Sequence, residues 1–468
     1  MTLPTKADFT PTKRFFVEML TRDIDLEDAI LDLLDNCLDG VARKQNKNPD
    51  EVDYKGYWVK INFDKNQFII SDNCGGIPTS SVDYAFRMGR PSNAPKENLA
   101  TVGVYGIGMK RSIFKIGKHC VVNTKHSDDD SFQVVIDEEW LKSDLNWEVD
   151  LQRTLSLDSR TGTTIEITKI IPAVSNKFGN KSFVTSVINK VIYAYSYIIS
   201  KGFSVEINGE KINPNPIKIR YEIDHESGSA IQPYMYKARI DDVDVSLVVG
   251  LNAPLVTEKE EEEEKKAPKN RTENAGWTIV CNDRIVVYRD KSELTGWGVD
   301  FSRYHTQYIA ISGIVYFKST NPESLPITTT KRGIDVTSPL FLKVRKHIIE
   351  GTKIFIDYTN KWKGEELIKE SNARLNKSEH ATPLEVIDKF ESEVASSWTK
   401  VKNRSNELKY KPKLPVPSNP ELKTKKITFR KDEDKIEFVA CYLGLDEGCT
   451  PNQVGEECFE FVFKEGAK

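Results

Sequence analysis

Long apolar runs are missing from this sequence. No stretch approaches the roughly 18 consecutive apolar residues that a membrane span requires. The opening MTLPTKADFTPTKRFF carries basic residues with no apolar segment behind them, so neither a membrane protein nor a secretory leader is expected. Paired cysteines are missing too. The seven cysteines are scattered, odd in number and never spaced CxxC. That argues against a disulfide framework and for a reducing, cytoplasmic setting. Histidine is scarce, with six in 468 residues, and no clustered metal-ligand pattern is found. There is no GxxxxGK[ST] phosphate loop and no PD…(D/E)xK nuclease constellation. An excess of one charge is lacking as well. The formal net charge of -3 removes a strong global attraction to nucleic acid and leaves only local patches for it.

What is present is an ordinary soluble composition, 38% hydrophobic and 29% charged, in a chain long enough for about three domains. Up to about residue 200, helical and strand patterns are mixed. Leu26, Ile30, Leu33, Leu34, Cys37, Leu38 and Val41 fall at helical spacing. Val59, Ile61 and Phe63 alternate, and DKN turns into QFII, which predicts a hairpin. From 201 to 345 more strands are expected, interrupted by the acidic run EKEEEEEKKAPKN. Strand patterns on both sides of that run predict a solvated, mobile loop (257–272) inserted in one domain. Residues 346–408 show helical spacing, 409–425 form a Pro/Lys-rich linker, and 426–468 a small C-terminal unit. Within that unit Thr450-Pro451-Asn452-Gln453 reads as a capped helix start.

Chemistry concentrates in five short pieces. On the first helix Asp28, Asp32 and Asn36 form a stripe opposite the apolar one, with Asp35 and Asp39 beside it. Alone this reads as a solvated acidic face. FIISDNCGGIP then runs a strand into Asp72 and a Gly75-Gly76 turn, where an acid can accept a hydrogen bond from a ligand close to the backbone. GVYGIGMK places Gly103, Gly106 and Gly108 ahead of a helix, freeing backbone amides for phosphate, with Lys110 adding charge. RTGTTIEI opens a strand at Gly162-Thr163. LPITTTKRGID sets Lys331 on a loop after a strand.

The order and spacing of these pieces resemble the GHKL ATPase superfamily, with its Bergerat nucleotide fold. The match is closest to microrchidia (MORC)-like and MutL-like members, and to prokaryotic ones in particular. The resemblance covers about residues 10 to 340. It implies an α+β chain, with a Bergerat-type α/β sandwich over 1–200, a transducer-type α/β domain over 201–345 and then a helical C-terminal region. It also implies ATP and Mg²⁺ as cofactors. Asn36 would ligate Mg²⁺ and Asp72 would accept from the adenine amino group, supported by Thr163. Gly76 would let the base pack closely. Gly103, Gly106, Gly108 and Lys110 would form the phosphate lid. Asp32 would be the general base, and Lys331 would reach the γ-phosphate.

Two positions depart from the family pattern. Asp32 stands where the base is usually Glu, one methylene shorter, a loss of about 1.5 Å in reach. Cys74 stands where the turn usually has Gly. The resemblance further implies slow hydrolysis coupled to an ATP-dependent homodimeric clamp, with TPTKRFFVEMLTRDI as an exchanged element or a plain packing helix. It favours DNA as the target and a genome-defence or restriction-type setting beside a partner nuclease or methylase. Lysines and arginines gathered over 400–431 could meet DNA phosphates. Protein remodelling and a nucleotide-bound scaffold are the competing readings. A histidine kinase is not expected, because no phosphoacceptor helices precede the boxes and His347 reads as a surface residue.

Overall fold

The structure, a computed structural model, describes residues 12–48, 51–89, 99, 101, 103, 106–127, 130–143, 146–154, 160–223, 230–266, 274–328, 330–401, 406–417, 427–445 and 448–466. It falls into two compact units, Met1–Val416 and Pro417–Lys468.

The first unit begins with helices α1 (Lys13–Arg22) and α2 (Leu26–Gln45). The hairpin β1 (Trp58–Phe63) and β2 (Phe68–Asp72) follows, then α3 (Val82–Phe86) and α4 (Gly108–Ile116). Strands β3 (Gly117–Ser127) and β4 (Asp130–Ile136) lead to α5 (Glu138–Lys142), β5 (Leu151–Arg153) and β6 (Gly162–Ile170). Helices α6 (Pro172–Phe178) and α7 (Lys181–Ser200) lead to β7 (Ser204–Ile207) and β8 (Glu210–Lys211). The strands form one eight-stranded sheet in the order β5-β4-β3-β6-β2-β1-β7-β8. One face of it is packed. Val59, Ile61 and Phe63 of β1 bury against the apolar stripe of α2 and against Phe183, Val187 and Val191 of α7. Trp58, Lys60 and Asn62 alternate with them and are turned the other way, partly or fully exposed.

After the short strand β9 (Ile219–Tyr221), the second sheet begins with β10 (Tyr234–Ile240) and β11 (Val243–Leu251) and continues, past the acidic helix α8 (Glu258–Lys266), with β12 (Gly276–Cys281), β13 (Arg284–Asp290) and β14 (Ile311–Lys318). Then come α9 (Pro339–Lys361), α10 (Glu365–Leu375), β15 (Glu379–Ala381), α11 (Pro383–Glu393), β16 (Thr399–Lys400) and β17 (Glu407–Tyr410). Seven strands pair in the order β13-β12-β14-β11-β10-β17-β16, while β9 pairs with β15. Because β11 and β12 both pair with β14, the acidic run is an insertion within one sheet. Its first part is helical, not the loop its charge suggested. Glu and Lys are good helix formers, and Thr257 caps the helix through Glu260, whose side chain accepts from the Thr257 amide at 2.9 Å.

Helix α9 covers one face of the second sheet, with Phe341, Val344, Ile348 and Phe355 buried. The opposite face packs against α11 and against α7 of the first sheet, where Tyr193 stacks on Tyr288 at 4.4 Å and Tyr197 meets Tyr316 at 5.2 Å. His347 is buried, not on the surface. It stacks on Tyr236 at 3.7 Å and bonds the Tyr234 hydroxyl at 3.0 Å. On α1, Phe15 and Met19 are exposed, while the Lys13 ammonium lies 3.7 Å from the Trp140 ring centre and donates to its carbonyl. The second unit holds α12 (Glu433–Tyr442) and α13 (Pro451–Gly466). The latter is capped by reciprocal Thr450–Gln453 bonds, as its sequence predicts. Among the described residues no helix is long and apolar enough to cross a membrane.

Gly351 lies at the closest approach of α9 to the sheet. A Cβ there would come within 2.5 Å of Val249 Cγ1 and 2.8 Å of Tyr234 Cδ1. Replacing a mid-helix Gly by Ala ordinarily adds about 1 kcal/mol of helix propensity, whereas overpacking costs about 1–3 kcal/mol. Gly351→Ala is therefore expected to lower the urea midpoint, and a raised midpoint would refute the close packing of α9.

Candidate functional site

The apolar stripe of α2 is buried in the core, and its opposite face is not solvated. Asp32, Asp35 and Asp39 are only 1%, 1% and 2% exposed. Each carboxylate has a specific partner. The Arg332 guanidinium pairs with Asp28 and also donates to its carbonyl at 2.7 Å, and Lys190 pairs with the same carboxylate at 2.9 Å. Arg111 donates to Asp32 Oδ2 at 2.6 Å. Asp35 accepts from Arg284 Nε at 2.7 Å and the Tyr195 hydroxyl at 2.7 Å, with Lys331 Nζ at 3.3 Å. Asp39 accepts from the Gly103 amide at 3.0 Å.

Burial alone would raise the pKa of Asp35. The charges of Arg284 and Lys331, with the bonds from Tyr195 and Arg284, outweigh it and hold the carboxyl at about 2. Its partners Arg284 and Lys331 come from β13 and from the loop after β14, so this ion cluster joins the two sheets. Lys331 adopts φ +58°, a left-handed conformation uncommon for a residue with a side chain. Its ammonium rests on Asp35, and its carbonyl accepts from Arg284 at 3.2 Å.

Asn36 is the exposed member of the α2 polar face. Beside it Asp32 Oδ1 is buried and has no hydrogen-bond partner among the described residues. Arg332 Nη2 lies 3.8 Å from it. The start of α4 closes on the same place, where a Cβ on Gly108 would lie 3.5 Å from Asp32 Cβ. Gly106 takes φ +66°. Lys110 is turned away: its ammonium is buried, donates to the Ala85 carbonyl at 2.8 Å, and is lowered to about 8 by burial.

Asp72 ends β2 and is partly buried as a residue, with its carboxyl enclosed. It accepts from the Cys74 amide at 2.7 Å and lies 3.4 Å from Cys37 Sγ. Burial pushes its carboxyl up to about 6 against those bonds. Thr163 bonds the Thr124 hydroxyl at 3.0 Å, and Thr124 in turn accepts from the Ile77 amide at 2.8 Å. The turn between them leaves no room for side chains. A Cβ on Gly76, at φ +70°, would sit 2.2 Å from the Lys125 carbonyl oxygen, and one on Gly162 would sit 2.0 Å from that of Asp72. Cys74 fits because Gly75 and Gly76 take the positive φ angles, +120° and +70°.

Asn36, Asp32, Gly103 and Gly108 thus meet on one side of α2, with Asp72, Gly76 and Thr163 at the strand ends beyond Cys37. Lys331 joins through Asp35. Arg111, Arg284, Arg332 and Tyr195 were not singled out from sequence. Arg332 was legible beside Lys331 and Arg111 beside Lys110. Arg284 opens an otherwise apolar strand, a weak signal for a buried ion pair.

Two outcomes follow from these contacts. Arg284→Ala strands the Asp35 charge in the interior and should cost about 3–5 kcal/mol, whereas Arg284→Met with Asp35→Leu should cost much less. Equal losses in urea unfolding would show that the pair is not coupled. For Asp72 the folded pKa lies above the ordinary 3.8. Its contribution is then fully present below about pH 4 and lost as pH rises through about 6, up to about 3 kcal/mol. Unfolding of the nucleotide-free protein between pH 4 and 7.5 should show this loss, and Asp72→Asn should remove it.

Residues 24–166 match the family model described as histidine kinase-, DNA gyrase B-, and HSP90-like ATPase. No curated protein matches the chain. The matched segment runs from just before α2 into β6 and contains Asp32, Asn36, Asp72, Gly103, Gly106, Gly108 and Thr163. It supports a GHKL-type ATPase domain in this part of the chain, and with that domain ATP binding and, generally, ATP hydrolysis.

Proposed function

We propose that this chain is a slow Mg-ATP hydrolase in which nucleotide occupancy sets the relation between the two sheets. The observation that carries the reading is the ion cluster on α2. The helix bearing the proposed base and metal ligand is held by Arg284, Lys331 and Arg332 of the second sheet. A γ-phosphate arriving beside Asn36 would offer Lys331 a stronger anionic partner than Asp35, already neutralised by Arg284.

The residues fit the cofactors. The exposed amide of Asn36 would hold Mg²⁺ through its oxygen. Among the described residues there is no cluster of three His, Cys, Asp or Glu to cage a metal, which suits an ion that keeps water and phosphate ligands. The ion would supply charge neutralisation at the phosphates. Asp72 would accept from the adenine amino group, with Thr163 beside it and Gly76 giving the base room. Gly103, Gly106 and Gly108 would present amides to the phosphates. Lys110 would contribute to the lid only by leaving Ala85. Asp32 would orient and deprotonate the attacking water through Oδ1, the oxygen with unspent acceptor capacity.

The β12–β13 turn gives the lid a route to the second sheet. Asn282 and Asp283 both have positive φ. Asn282 donates to the Thr101 carbonyl at 3.0 Å, while Asp283 pairs with Lys201 at 2.7 Å and accepts from Tyr54 at 3.2 Å. Ordering of the lid by ATP would thus be felt at the hairpin. GHKL ATPases commonly dimerise, and an ATP-closed homodimeric clamp on DNA in a genome-defence or restriction-type role, of MORC-like or MutL-like kind, is the reading carried forward. For DNA the support is the basic stretch 400–431. Lys409 and Lys411 of that stretch face Glu350 at 3.2 and 3.8 Å. Lys402, Arg404, Lys423, Lys425 and Lys426 lie outside the described residues.

A second reading, a nucleotide-bound scaffold with little turnover, is favoured by Arg111 sitting 2.6 Å from Asp32, since one carboxylate oxygen of the proposed base is already engaged. Hydrolysis and oligomeric state, measured with ATP, a non-hydrolysable analogue and no nucleotide, each with and without duplex DNA, separate these. Asp32→Asn should cut turnover by about 10²–10⁴ while ATP still binds. Unchanged turnover in that variant favours the scaffold, and absence of Mg-ATP binding ends both readings.

A further inference from the structure

The face of the first sheet that carries no helices among the described residues holds a groove of about 900 Å³, lined in part by Tyr57, Trp58, Lys60, Asn123, Arg160 and Thr164. Register makes its floor a straight polar row. Lys60 pairs with Ser71, Ser71 with Thr164, and Thr164 with Asn123, so four strands each contribute one side chain on the same face. Trp58 lies two residues from Lys60 on β1 and shares that face, only partly buried.

Trp58 is only partly buried on this polar face, which leaves part of its ring open to stack on a flat partner. Cations surround the two rings. The Arg160 guanidinium is 5.9 Å and the Lys60 ammonium 5.8 Å from the Trp58 ring centre, and Lys44 is 5.6 Å from that of Tyr57. Arg160 and Lys60 are both exposed. Glu206 pairs with Lys60 at 3.4 Å and is itself partly exposed, a pairing of small worth that phosphate can displace. Among the described lining residues the acid is Asp72, partly buried at the strand end.

An occupant matched to this surface needs flat rings to stack, negative charges to meet the rim and polar edges to meet Ser71, Asn123 and Thr164. We propose that the helix-free face of the first sheet binds single-stranded nucleic acid, with a base stacked on Trp58 and backbone phosphates on Lys60 and Arg160. Sheet-borne aromatic rings flanked by cations bind unpaired strands because every base has a π-face. A duplex keeps its bases stacked on one another and cannot use Trp58. Trp58, Lys60 and Arg160 have no role in the ATPase reading, but Asp72 and Thr163 also line the groove, so binding is tested without ATP.

The test is fluorescence anisotropy of the full chain with labelled oligo-dT and oligo-U of about 20 nucleotides, without ATP. The wild type should bind, and binding should weaken steeply with salt. Trp58→Ala should weaken it about tenfold or more, the range for one stacked base, and Trp58→Phe should restore most of that loss. Lys60→Ala with Arg160→Ala should lower the salt slope by about 1.4, as for two phosphate contacts on a single strand. Melting temperature reports folding, and the charge variant and Trp58→Phe carry the test should Trp58→Ala fail to fold. The proposal is overturned by no binding, by a folded Trp58→Ala that binds as the wild type does, by an unchanged salt slope, or by unlabelled duplex competing as well as single strand.

Discussion

Three carboxylates buried on one helix constrain the rest of this molecule. Stripping a carboxylate of water costs several kcal/mol, so Asp32, Asp35 and Asp39 can be buried on α2 only where partners reach them. Asp39 is satisfied locally by the Gly103 amide. Asp32 takes Arg111 from α4. Asp35 depends on Arg284 and Lys331, which come from a different sheet. Pulling the second sheet away would leave Asp35 charged and stranded. The helix that carries Asn36 is thereby tied to a module far along the chain, and the candidate site cannot be altered without consequence for that module.

The same coupling is reinforced at the β12–β13 turn. Two consecutive residues with positive φ, Asn282 and Asp283, tighten the hairpin so that its tip enters the first sheet's territory. One side chain holds the Thr101 carbonyl and the other holds Lys201 and Tyr54. Arg284 follows directly and clamps Asp35. Three adjacent residues therefore touch the segment before the glycine loop, the end of α7 and the centre of α2. A short, strained turn with many partners is the kind of element that responds as a unit when one partner changes.

Much of this was legible from local pattern. The α2 apolar stripe, the β1–β2 hairpin, the insertion of the acidic run within one sheet and the Thr450 cap all follow from periodicity and turn chemistry. Less legible was anything set by long-range pairing. The acidic face of α2 looked solvated, because sequence does not reveal that cations 80 to 300 positions away will cover it. His347 looked like a surface residue because Tyr234 and Tyr236 are distant in sequence. Lys110 looked like a phosphate ligand, and its burial against Ala85 is decided by how α4 packs. The run 258–266 looked like a loop because like charges repel, yet helix propensity and the Thr257 cap prevail.

By itself, the sequence determined which residue types stand at which spacing. It placed a carboxylate and an amide one turn apart on α2, an acid before a glycine turn, and a glycine loop opening a helix. These are local facts, set by side-chain chemistry and by the periods of helix and strand. Only the tertiary structure decided which of those groups remain available. It spent Asp35 on Arg284, Tyr195 and Lys331, placed Arg111 against Asp32, left Asn36 open, and turned Trp58 out on the bare side of the sheet. Charge pairing and burial depend on distances between segments remote along the chain, and spacing within a segment carries no information about them.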